Sequence, residues 1–139
     1  MVRPKQFDRE QALRSAMHLF WTKGYEATSI PDLLRHMGLS RSSLYETYGD
    51  KRALFIEAFD HYRHVGERKR DLLRNAESAR EGIRSYFEMH IDFSLDERLP
   101  GGCLVTNTAV SLDADADPDI RRMVEERFAG LEEEFYRLL

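Results

Sequence analysis

Apolar residues recur three and four positions apart along nearly the whole chain, and no stretch alternates convincingly at period two. Leu13, Ala16, Met17 and Phe20 form one stripe of a first helix over 8–23, with Asp8 as its N-cap and Gly24 at its end. Ile30, Leu33, Leu34 and Met37 form the buried face of a second helix over 30–37. Ser29 and Asp32 make its capping pair, and Pro31 sits in the first turn, where its missing N–H is tolerated. Gly38 breaks this helix and Ser40 caps a third over 41–48, with Leu39, Leu44 and Tyr48 turned inward. Two helices joined by a short glycine turn, the second of them short, form the helix-turn-helix pattern.

Asp50 caps a longer fourth helix carrying Leu54, Phe55, Ala58, Phe59 and Tyr62 at helical spacing. A fifth helix over 78–96 is marked by Ile83, Tyr86, Phe87, His90 and Phe93. "LPGG" interrupts the pattern before a short apolar sixth over 103–112. Asp117 and Pro118 start a seventh, with Ile120, Val124, Phe128, Leu131, Phe135 and Leu138 on its buried side. The expected fold is all-α: a three-helix head over 1–50, then a helical bundle over 51–139. The chain ends at "EEEFYRLL" without a capping residue, so the bundle is expected to be truncated there.

Charge changes this picture. The net charge of -4 argues against a nucleic-acid partner only until the chain is divided. Residues 1–52 hold 9 Lys/Arg against 6 Asp/Glu, whereas 53–139 hold 12 against 19. A basic head attracts phosphate while an acidic body is repelled by it. No apolar run approaches the roughly 20 residues that span a membrane. The N-terminus has no apolar signal segment, and the single cysteine, Cys103, excludes an internal disulfide. A cytoplasmic setting is expected.

The stretch "TSIPDLLRHMGLSRSSLYETYGDKRALF" resembles the DNA-binding head of the TetR/AcrR family of bacterial transcriptional regulators. Thr28, Ser29, Gly38, Leu39, Ser40, Leu44, Tyr45, Tyr48, Lys51 and Leu54 occupy the places of that family's pattern, and Tyr48 stands where Phe is usual. The resemblance is specific over about 8–59 and only architectural beyond. It implies double-stranded operator DNA, a small-molecule effector and a homodimer as partners. It also implies two more C-terminal helices that build the dimer interface. The function expected is that of a repressor released from its operator by a small molecule.

Residue chemistry agrees. Short side chains let a helix lie deep in the major groove, and Arg41 can reach a guanine edge or a phosphate. Ser42, Ser43 and Thr47 can donate to bases or phosphates, and Tyr45 can reach backbone or a thymine methyl. Lys51 in the first turn of the fourth helix adds a cation to amides that already favour phosphate, as Thr28 and Ser29 do at the second. Lys5, with Arg3, lies on an arm able to reach an adjacent groove. An effector site is expected among helices four to seven, with Phe59, Tyr62, Phe87, His90, Asn107 and Cys103 as candidate lining.

Other chemistries fare worse. "DADADPD" over 113–119 resembles the start of a calcium loop, yet Pro118 replaces the sixth-position glycine and Val124 the terminal glutamate. No triad, metal-ligand cluster or phosphate-cradling loop occurs, so neither an enzyme nor a cofactor is expected. Cys103 opens a helix after "PGG", where the dipole favours a thiolate. A thiol-based electrophile or oxidant sensor is therefore an alternative, and a protein-binding helical adaptor another.

Overall fold

The computed structural model describes residues 8–139, which form seven α-helices and no strand: α1 (Arg9–Lys23), α2 (Ile30–Met37), α3 (Arg41–Tyr48), α4 (Lys51–Arg74), α5 (Ala79–Leu95), α6 (Leu104–Ser111) and α7 (Pro118–Leu138). The caps act as their residue types dictate. The Asp8 side chain accepts from the Gln11 amide, Ser40 from Ser43 and Ser78 from Glu81. At α2 the box is reciprocal, Ser29 Oγ accepting from the Asp32 amide and Asp32 from that of Ser29. Gly38 ends α2 with φ 67° and ψ 34°, the left-handed region that lets the chain turn at once into α3.

Packing divides the chain inside α4 into two compact units, one through Tyr62 and the other Arg63–Leu139. The expected boundary at 50/51 thus lies too early. The first turns of α4 belong to the head because their rings complete its core: Phe55 meets Phe20 edge-on at 5.0 Å and Tyr25 at 4.9 Å. Leu33, Leu44 and Leu54 are fully buried with them. Tyr48 departs from the usual Phe without an orphaned hydroxyl, since its OH donates to the Arg9 carbonyl at 3.3 Å. The Arg9 guanidinium lies 5.0 Å over the same ring and pairs with Glu57 at 3.0 Å, joining α1, α3 and α4.

In the second unit α5 and α6 pack against α7. Gly82 marks the closest approach: a Cβ there would lie 2.7 Å from both Ala76 Cβ and Leu138 Cδ2. Arg74 bonds Glu134 at 2.8 Å and also pairs with Glu67 and Asp71, fastening the end of α4 to α7. Ile120 and Val124 are buried as their spacing predicts. Phe128, expected on the same buried side, is exposed, and Leu131, Phe135 and Leu138 are half-covered. The described residues of this unit do not supply enough surface to enclose the second half of α7.

Candidate nucleic-acid interface and effector site

The turn after Gly38 and the cap at Ser40 set α3 so that Leu44 and Tyr48 point into the core, leaving the opposite face outward. Arg41, Ser42, Tyr45 and Glu46 lie on that face, with Tyr45 42% exposed, while Thr47 is half-covered. Two expected surface hydroxyls are elsewhere. Ser43 is buried and accepts from Ser40 Oγ at 2.9 Å, because its place one residue before Leu44 turns it toward the α2–α3 turn. Thr28 is fully buried, its hydroxyl donating to the Gly24 carbonyl at 2.5 Å, so it closes the loop before α2. Both are structural hydroxyls and present nothing to a nucleic acid. Ser29 stays exposed, with its side chain engaged in the cap. Lys5 lies outside the described residues.

Two cations of the head take positions that the sequence does not disclose. Lys23 pairs with Asp32 at 2.8 Å. That ammonium, helped by Ser29, holds the Asp32 carboxyl well below the usual range. Lys51, at the start of α4, stands 4.4 Å from the Tyr25 ring centroid, a cation–π contact. Partial burial lowers its pKa, against a weaker upward pull from Glu26.

In the second unit, His90 finds its partner in Lys69, a residue that no sequence motif marks. Lys69, only 6% exposed, places Nζ 3.2 Å from His90 Nδ1 and 5.0 Å from the Phe93 ring. The ammonium can only donate, so His90 Nδ1 accepts and the imidazole is neutral with its proton on Nε2. Burial and the Lys69 charge together push the His90 pKa down. The signal was present: Lys69 falls seven residues after Tyr62 and four before Leu73, on the buried stripe of α4.

The other expected effector residues scatter. Phe59 and Tyr62 belong to the head, where Phe59 packs on Phe55 at 5.7 Å and Tyr62 on Trp21 at 4.9 Å. They serve its core because aromatic partners already enclose them. Phe87 is half-exposed, touching Tyr86 and Phe135. Asn107 donates to the Gly101 carbonyl at 3.1 Å, bracing the loop before α6. Cys103 is a free, half-buried thiol at the N-cap of α6. No group of three or more His, Cys, Asp or Glu side chains among the described residues is placed to hold a metal ion. No described helix is long and apolar enough to cross a membrane.

A core closed by α1–α3 and the first turns of α4, presenting the polar face of α3, defines a helix-turn-helix regulator. Comparison with known proteins carries this further. The family model for bacterial regulatory proteins of the tetR family matches residues 12–58. The HTH-type transcriptional regulator YezE of Bacillus subtilis is 36% identical, covering 98% of this chain and 70% of its own length. The HTH-type transcriptional repressor ComR of Escherichia coli is 33% identical over 99% of this chain and 66% of its own. A cysteine mutant of the TetR family regulator CifR, solved in complex with 26-bp double-strand operator DNA, matches with a TM-score of 0.85 at 36% identity, covering 96% of this chain and 70% of its own. The chain belongs to the TetR family of bacterial transcriptional regulators. It spans roughly two thirds of the length of these relatives.

Proposed function

We propose that this protein is a dimeric, cytoplasmic repressor that binds operator DNA through α3 and releases it when a small molecule occupies the helical second unit. The observation that carries the reading is the outward face of α3, where Arg41, Ser42 and Tyr45 stand exposed over a core closed by Leu44 and Tyr48. CifR, similar to this chain over 96% of its length, is a regulator solved on its operator. The head's excess of basic residues supplies the phosphate attraction. Arg41 reads a base edge or phosphate, Tyr45 the backbone or a thymine methyl, and Lys51 a phosphate beside the amides that open α4. The helix shared by both units, α4, is the natural element through which an effector redirects the head.

Selection of bound sequences from random duplex DNA tests this. Arg41→Ala and Tyr45→Ala are each expected to cost on the order of 1–3 kcal/mol on the selected site and to relax its sequence preference. Unchanged binding in both variants refutes the assignment of α3 as the reading helix.

A further inference from the structure

Lys69 and His90 form a polar pair beside the rings of Tyr86 and Phe93 in the second unit. Lys69 is nine-tenths buried, and no carboxylate among the described residues pairs with it. Its contacts are a neutral imidazole and the face of Phe93. His90 stacks on Tyr86 at 6.2 Å with an interplanar angle of 13°, and Tyr86 in turn meets Phe135 at 5.1 Å. An ammonium among rings, donating to one nitrogen, has two N–H groups left for an acceptor. Burial of a charge without a counter-ion is costly, which is why buried cations in folded proteins are paired or coordinated.

A second polar group in the same unit is also unmet. Thr108, in the middle of α6, is 1% exposed, and its hydroxyl has no hydrogen-bond partner among the described residues. Buried polar atoms of this kind are few in folded chains. Burial lowers the Lys69 pKa, against a weaker upward pull from Cys103.

The geometry points to Lys69 as the anion-binding group of the effector site, with a small monocarboxylate of apolar body as the ligand class. The carboxylate would accept from the two free N–H groups of Lys69, and its apolar part would lie against Phe93 and Tyr86. His90 is the positioning residue: its Nδ1 accepts one ammonium N–H, which orients the other two. This rests on the reading of the second unit as an effector domain. Apolar and aromatic ligands without a negative charge would leave the ammonium unpaired and are selected against, since a site built around a buried charge rejects analogues lacking its partner.

The test uses hexanoate and benzoate as probes, with hexanamide and benzamide as uncharged matches and sulfate as a small anion. Thermal unfolding is followed on the unmodified chain, on Lys69→Met and on Cys103→Ser. At least one carboxylate is expected to raise the midpoint by about 5–10 °C at a hundredfold excess over its Kd. Neither amide nor sulfate should do so. Lys69→Met should abolish the response while leaving the ligand-free midpoint equal or higher, because it removes an uncompensated buried charge. The carboxylate–amide contrast is read on the unmodified chain, so it decides the matter even if Lys69→Met folds poorly. The proposal is overturned if amides or sulfate stabilise equally, or if neither carboxylate acts. It is also overturned if carboxylates bind only after Cys103→Ser, which would make the Cys103 thiolate the native counter-ion. Operator binding is measured separately on selected DNA. Its absence would refute the regulator reading and leave carboxylate binding standing.

Discussion

Lys51 combines two environments in one side chain, and the combination makes a quantitative prediction. Its ammonium is 4.4 Å from the Tyr25 ring centroid and partly buried, at the N-terminus of α4, where it is expected to meet a phosphate. A phosphate contact releases counter-ions, so Lys51→Ala should make the slope of log affinity against log salt shallower by about 0.9 for each head bound. The ring adds position. A cation–π contact is worth about 0.5–1 kcal/mol when exposed and roughly 2 when desolvated, so a half-buried one is worth about 1 kcal/mol. If the ring holds the ammonium where the phosphate needs it, Tyr25→Leu should weaken duplex binding roughly fivefold per head, whatever the sequence. Tyr25→Phe keeps the ring face and should bind like the parent. Tyr25 also stacks on Phe20 and meets Phe55 edge-on, so Tyr25→Leu must first be shown to be fully folded by its denaturation midpoint. Binding is then followed by fluorescence anisotropy from 50 to about 300 mM salt, on selected and scrambled duplexes. An unchanged salt slope in Lys51→Ala would show that Lys51 serves the head's structure alone.

Three further outcomes follow from the packing. Thr28→Val removes the donor to the Gly24 carbonyl and should cost about 1–3 kcal/mol of stability by urea unfolding, with no change in sequence preference. Gly82→Ala forces a methyl to 2.7 Å from Ala76 Cβ; overpacking of about 1–3 kcal/mol outweighs the helix-propensity gain of about 1, for a small net loss of stability. The depressed Asp32 carboxyl stabilises the head above its unfolded pKa of about 3.9, and that contribution fades as pH falls from there toward the folded value. Asp32→Asn should therefore lower the urea midpoint at pH 5, and the gap should close as the pH drops below about 4; a gap that persists there would show the loss to be one of capping alone.

The helices and their caps were determined locally. Spacing along 8–23, Ser29 with Asp32, and Gly38 followed by Ser40 are choices that each residue's own backbone and its nearest neighbours settle, so α1, α2 and α3 match their expected spans to within a residue. The outward face of α3 followed from the same period, because Leu44 and Tyr48 could turn in only one direction. What the sequence by itself could not determine was anything that depends on partners far along the chain. Thr28 and Ser43 are hydroxyls of the expected type in the expected motif, yet their burial was decided by the turns they close. Phe59 and Tyr62 have the spacing of a lining face, but the rings of Phe55 and Trp21 claimed them for the head. The Lys69–His90 pair joins side chains 21 residues apart on two helices. Periodicity marked His90 but not Lys69; only the approach of α4 to α5 brought the ammonium to the imidazole, because a charge acquires its partner from tertiary proximity.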